Sequence, residues 1–256
     1  MNENLKLILW LYSNCGLQAS IDGIRVCLKL LWTKNFWSRN SIKLVYKGRK
    51  LELEFFGGLS MIREIFADEI YKQDVKDPHT IVDIGANVGI YSIWAACNYE
   101  HAKIYAYEPV SKTYELLVNN ISKNKLTNIF PNRKAVTDKR GKATIYLSYA
   151  SGFSSVKNSN GNPEDIEMIT LQDVFESNKL KTVDILKIDT EGSEFEILNG
   201  GRELLKNVNF VMMEYHSKED KTKILKLLDE CGFEIIRNTG ESLGTIHSKN
   251  KRFLNN

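Results

Sequence analysis

The spacing of apolar residues changes period along this 256-residue chain, and each change marks an element. Residues 5–12 and 24–32 repeat apolar positions at helical spacing, which predicts two helices at the start. Residues 41–56 switch to alternation, with Ile42, Leu44 and Tyr46 on one side of Lys47-Gly48-Arg49 and Leu51, Leu53 and Phe55 on the other. That pattern predicts a β-hairpin with a glycine turn, ended by Gly57-Gly58. Helical spacing returns over 61–71 (Ile62, Ile65, Phe66, Ile70), and the charged stretch 72–79, with Pro78, links into the rest.

From residue 80 onward, short β-branched runs alternate with helical stretches. Strands are expected at 80–84, 103–107, 129–136, 182–189, 208–215 and 233–237, with a short final one at 245–247. Helices are expected at 90–97, 111–124, 194–205 (broken at Gly200-Gly201) and 222–231. This alternation predicts an α/β fold with a doubly wound, mostly parallel sheet. Residues 141–148 read as a further alternating strand. The polar stretch 149–163 reads either as a specificity loop or lid, or as plain surface. Thr170 with Asp173 three residues on forms an N-terminal capping pattern. The chain divides into a helical cap and hairpin, 1–75, and a main domain, 76–256.

Composition narrows the classes. A net charge of +3 gives no basic footprint for nucleic acid. Cys15, Cys27, Cys97 and Cys231 show no CxxC pair or metal spacing and read as reduced thiols. No run of about twenty apolar residues exists, so no transmembrane span is expected. A cytoplasmic location is inferred. Residues 1–40 carry Trp10, Trp32, Trp37 and Phe36 together with Lys29 and Lys34. They read as a helical cap over the core or the active-site mouth, or as a segment touching a membrane surface or a partner.

Chemistry concentrates at Asp83-Ile84-Gly85-Ala86-Asn87-Val88-Gly89, where a buried strand breaks at glycines and re-enters as a helix. Backbone N–H groups facing outward at such a helix start suit a nucleotide-like ligand. A dinucleotide fingerprint places a second glycine where Asn87 stands, and Asp83 would repel a diphosphate while attracting an ammonium group. Glu108, before Pro109, ends the next strand about twenty residues on, the usual distance for a carboxylate that binds ribose hydroxyls. Together these predict a ribonucleoside bearing an α-amino acid, which S-adenosylmethionine satisfies.

The ordered set DIGANVGxYS, YEP, KIDTEGSE and MEYH, over roughly residues 60–238, resembles the FkbM-type methyltransferases, a branch of the class I S-adenosylmethionine-dependent fold. The resemblance implies a seven-stranded Rossmann-like sheet whose seventh strand is antiparallel. It also implies an adenine face lined near Ala135 and Val136, and O-methylation of a hydroxyl on a sugar or other small molecule. Asp83, Gly85, Asn87, Gly89, Glu108, Pro109, Ala135, Val136 and Asp189 are the expected cofactor residues.

Methyl transfer asks the enzyme to align a nucleophile and remove its proton. Lys187 and Asp189 share a face of their strand, and Glu191 sits on the turn beyond. Glu214 and His216 end the neighbouring strand. His216 is the expected base by its ordinary pKa, with Asp189 or Glu191 orienting it or acting instead; Asp189 also reads as a binder of the cofactor's ammonium. Asp189, Glu191, Glu214 and His216 could also ligate magnesium, which the resemblance does not require. Competing readings are a protein or RNA methyltransferase, a non-catalytic S-adenosylmethionine-binding module, and an NAD-binding domain.

Overall fold

The computed structural model describes residues 3–33, 38–147, 154–155 and 162–253. Trp37, Lys34 and Phe36 of the N-terminal segment, and most of the 149–163 loop, lie outside them. Two helices, α1 (Glu3–Cys15) and α2 (Leu17–Thr33), precede the hairpin β1 (Arg39–Tyr46) and β2 (Arg49–Phe56). The hairpin register is fixed by Tyr46 facing Arg49 across a turn in which both Lys47 and Gly48 take positive φ. A short helix, α3 (Ser60–Ile62), widens into a π-turn over Arg63–Ala67.

The main sheet begins with β3 (Thr80–Ile84), α4 (Ile90–Asn98), β4 (Lys103–Tyr107), α5 (Ser111–Lys123) and β5 (Ile129–Asn132). An insertion follows: β6 (Ala135–Thr137), β7 (Gly141–Leu147), β8 (Ser154–Ser155) and β9 (Asn162–Thr170). The main fold resumes with α6 (Leu171–Ser177), β10 (Val183–Ile188), α7 (Glu194–Gly200), β11 (Val208–Tyr215), α8 (Lys218–Glu230), β12 (Phe233–Asn238) and β13 (Gly244–Asn250). The seven strands run in the order β5-β4-β3-β10-β11-β13-β12. Neighbours are parallel except β13, which is antiparallel to both β11 and β12. This is the mostly parallel, Rossmann-like sheet expected, including its antiparallel seventh strand.

One expectation fails here, and one strand was not foreseen. Residues 129–136 form two strands in different sheets, because the chain leaves β5 at Asn132 and re-enters at Ala135 alongside β9. The stretch before Thr170 is a nine-residue strand in a four-stranded sheet ordered β6-β9-β7-β8. Among the described side chains of β9 only Ile166 and Ile169 are buried, so its sequence gives a faint apolar signal. The capping pattern does hold: Thr170 Oγ1 accepts from the Asp173 N–H, and Asp173 accepts from the Thr170 N–H at 2.8 Å.

One apolar core joins the N-terminal unit to the sheet. Leu7, Leu11, Leu53, Phe55, Ile62 and Phe66 pack in the same cluster as Ile90, Ile93, Trp94 and Ile104. Helix α4 is therefore buried on all sides from Ile90 to Cys97, as its sequence, apolar all round, requires. Its polar Ser92 is satisfied by Asp83, Oγ to Oδ2 at 2.6 Å. The second link is polar. Asn120 Oδ1 accepts from the Glu54 N–H at 2.8 Å and its Nδ2 donates to Glu54 O at 2.7 Å, while Asn124 makes the same pair with Glu52, both contacts at 2.8 Å. Four residues of helix rise about 6 Å, close to the roughly 6.6 Å spanned by two strand residues, so the asparagines pair with the open edge of β2 as a strand would.

Candidate active site

The carboxyl ends of β3, β4, β10 and β11 open into a cleft of about 540 Å³. The glycine turn forms one wall. Gly85 has φ +75°, and a Cβ there would meet Asp189 O at 1.7 Å, so glycine lets the end of β10 cross close to the turn. Gly89 (φ +85°) faces Leu117, whose Cδ1 lies 2.3 Å from where a Cβ would stand. Asn87, at φ +51°, takes a left-handed conformation that asparagine tolerates.

The N–H groups of Gly85 to Gly89 are all engaged within the protein. Those of Gly85 and Ala86 both donate to Tyr107 O, at 3.0 and 2.9 Å, and that of Gly89 donates to Ala86 O at 2.9 Å. The Asn87 N–H donates to Glu108 Oε2 at 2.9 Å and the Val88 N–H to Asn87 Oδ1 at 2.8 Å. All five donors from Gly85 to Gly89 are taken, so this stretch has none left for a diphosphate. A phosphate-free ligand fits it better.

Asp83 does not line the cleft. It is fully buried, and Lys187 Nζ forms an ion pair with its Oδ1 at 3.1 Å. The ammonium also donates to Gly85 O at 2.9 Å and lies 3.5 Å from Asp189 Oδ2. Burial opposes the charge on Lys187, but Asp83 and Asp189 together hold its pKa above the ordinary lysine value. The Lys187–Asp189 face expected from strand periodicity thus exists, with Asp83 as its buried counterion.

Glu108 lines the opposite wall with Pro109, and Ala135 and Val136 line it further along. Its Oε1 accepts from the Val110 N–H at 2.9 Å and from Thr113 Oγ1 at 2.8 Å, so with the Asn87 contact it ties three segments together. Burial pushes the Glu108 carboxyl up, against these hydrogen bonds and the Lys187 charge.

At the mouth, Asp189, Glu191 and Glu214 line the cleft, joined by Glu64 from the N-terminal unit. Burial and the charge of Asp189 push the Glu214 carboxyl up to about 7, against the pull of His216. His216 takes a different position from the one a base needs. Its Nε2 lies 3.1 Å from Glu191 Oε2 and its Nδ1 forms an ion pair with Glu194 Oε1 at 3.4 Å. Those two carboxylates raise it to about 10, so at neutral pH the imidazole is a cation held beside the cleft, without the free lone pair of a base.

Three site residues escaped the sequence reading. Glu194, buried at the start of α7, accepts from the Thr190 and Gly192 N–H groups at 2.9 and 3.0 Å and shapes the turn that presents Asp189 and Glu191. Its place at the end of KIDTEGSE was a signal. Tyr71, whose hydroxyl donates to Asp189 Oδ2 at 3.3 Å, and Glu64 carried none, because only the tertiary fold brings the N-terminal unit to the cleft.

A family model described as the methyltransferase FkbM domain matches residues 83–235. The chain belongs to this FkbM methyltransferase family. Its FkbM domain is similar to the hexuronic acid methyltransferase AglP of Haloferax volcanii, 27% identical over 159 residues that cover 62% of this chain and 65% of that one. It is also similar to the methyltransferase sdnD of Sordaria araneosa, 27% identical and covering 77% and 88%. The 31-O-demethyl-FK506 methyltransferase FkbM of Streptomyces tacrolimicus is 23% identical, covering 69% and 82%. Among solved structures, a fibrillarin/Nop5p complex matches with a TM-score of 0.51 at 16% identity, covering 82% of this chain and 94% of that one, a likeness of fold alone. The chain thus carries an FkbM methyltransferase domain with the class I S-adenosylmethionine-dependent methyltransferase fold.

Among the described residues, Asp189, Glu214 and His216 form one group whose donor atoms lie within 4.8 Å of one another. Both His216 nitrogens face carboxylates, so a divalent ion would have to displace one of those contacts.

Proposed function

We propose that this methyltransferase uses S-adenosylmethionine to O-methylate a hydroxyl of a sugar or other small molecule. The observation that carries the cofactor reading is the glycine turn, whose N–H groups are all used internally beside a cleft with a buried carboxylate at Glu108. That arrangement suits a nucleoside without phosphates and argues against NAD. The acceptor reading is supported by relatives whose names specify a hexuronic acid and a 31-O-demethyl-FK506 acceptor.

Bound in the cleft, S-adenosylmethionine supplies a methyl group already activated as a sulfonium. Glu108 has one lone-pair direction left for ribose hydroxyls, while Ala135, Val136, Ile145 and Ile166 offer an apolar slot for the base. Glu214 takes the acceptor's hydroxyl proton, since a carboxylate titrating near neutrality is both present as base and strong enough to act. Asp189, fixed by Lys187 and Tyr71, orients the acceptor. His216 holds Glu191 and Glu194 in place as their counterion and is a positioning residue. The acids at the mouth disfavour RNA, whose backbone they would repel.

Calorimetric titration of the purified chain with S-adenosylmethionine and, separately, with NAD tests the cofactor. Binding of NAD alone overturns it. In an acceptor screen starting from hydroxylated sugars, Glu214→Gln should cut kcat by about 10²–10⁴ at unchanged cofactor affinity. It should also abolish the limb of the pH profile that rises through about 7. Full turnover in that variant removes Glu214 as base.

A further inference from the structure

The N-terminal helices pack through one face only. Leu7, Leu11 and Cys15 of α1 and Ala19 and Val26 of α2 are buried against the hairpin and the core. On the outer faces stand Leu5, Leu9 and Tyr12 of α1, and Leu17, Ile24 and Leu28 of α2, each between 44% and 63% exposed. These are six of the eleven large hydrophobic side chains exposed among the described residues. At about 100° per residue, each trio falls within a narrow stripe along its helix. Lys6 borders the first stripe, and Arg25 and Lys29 border the second.

Charge decides what covers them. The α1–α2 segment carries Lys6, Arg25 and Lys29 against Glu3 and Asp22, while Arg39, Lys43 and Arg49 of the hairpin pair with Glu54, Glu52 and Glu100. Asp22 is itself engaged, accepting from the Lys43 N–H at 3.0 Å and pairing with Arg25 at 3.2 Å. An apolar stripe edged by cations matches the boundary between acyl chains and anionic headgroups. No helix among the described residues is long and apolar enough to cross a membrane, so contact would be at the surface.

We infer that the α1–α2 hairpin is a peripheral docking surface for an anionic phospholipid bilayer. It sets one face of the enzyme on the membrane, while the cleft is lined from the N-terminal unit by residues between Phe56 and Tyr71 and by none of α1 or α2. The inference stands independently of the methyl acceptor.

Vesicle flotation with the full chain tests it. Vesicles of phosphatidylcholine containing about 30 mol % phosphatidylglycerol should bind the protein at least tenfold more strongly than phosphatidylcholine alone. Leu9→Ser with Leu28→Ser, both at exposed positions, should reduce that binding about tenfold or more at unchanged melting temperature. Lys6→Gln with Arg25→Gln should remove the preference for anionic lipid. Equal binding to both vesicle types, binding unaffected by the serine substitutions, or a concentration-dependent dimer abolished by them would each overturn the inference.

Discussion

Replacing Asn120 by alanine tests whether α5 holds the N-terminal unit and the cofactor turn together. The side chain is fully buried and makes three hydrogen bonds: from the Glu54 N–H, to Glu54 O, and to Val88 O at 2.8 Å. Truncation leaves one donor and two acceptors without partners. The Glu54 groups are partly buried and recover some solvation, whereas the Val88 carbonyl lies deep. Counting about 0.5–1 kcal/mol for each Glu54 group and about 1–3 kcal/mol for Val88 O gives a loss of about 2–5 kcal/mol. For a chain of this length that lowers Tm by roughly 4–20 °C. Urea unfolding followed by circular dichroism and tryptophan fluorescence measures it, with Asn124→Ala beside it and the double variant to read their coupling. Because Val88 belongs to the glycine turn, affinity for S-adenosylmethionine should fall as well. A loss under about 1 kcal/mol, or separate transitions for the two regions in the wild type, would refute the view that this side chain joins them.

Lys187→Met should cost about 3–5 kcal/mol, because it leaves the buried Asp83 carboxylate without its cation. Adding Asp83→Leu should restore much of that loss in the same unfolding assay, and a harmless single variant would mean that Asp83 is not held as an anion. His216 supplies a pH test. Its pKa is raised from 6.5 to about 10 in the fold, so its contribution to stability is complete below about 6.5 and is lost as pH rises toward 10. The stability gap between wild type and His216→Gln should therefore narrow over that window in pH-dependent melting. A gap independent of pH would show that the imidazole is not the cation between Glu191 and Glu194.

The site was legible in the sequence wherever function constrains neighbouring residues. The glycine turn, Glu108 and the KIDTEGSE stretch lie at strand ends, and strand ends are marked by where β-branched runs stop. What lay across the chain was not legible. The pairing of Asp83 with Lys187 spans 104 positions, and it turns a residue expected to face a ligand into a buried counterion. His216 has an ordinary pKa as an isolated residue. Only the approach of Glu191 and Glu194 makes it a cation, while burial raises the Glu214 carboxyl, the group proposed as base. The inserted sheet was missed because β9 interleaves its few apolar residues with acids and pairs with β6 and β7 across a polar loop.

The sequence by itself determined the strands and helices of the main sheet, the glycine turn at Gly85 and Gly89, and the family, because each depends on local spacing and conformational preference. The tertiary structure decided protonation, accessibility and the far wall of the cleft. Those depend on which charges and surfaces are brought together in space, and burial amplifies every such contact by removing the water that would otherwise screen it.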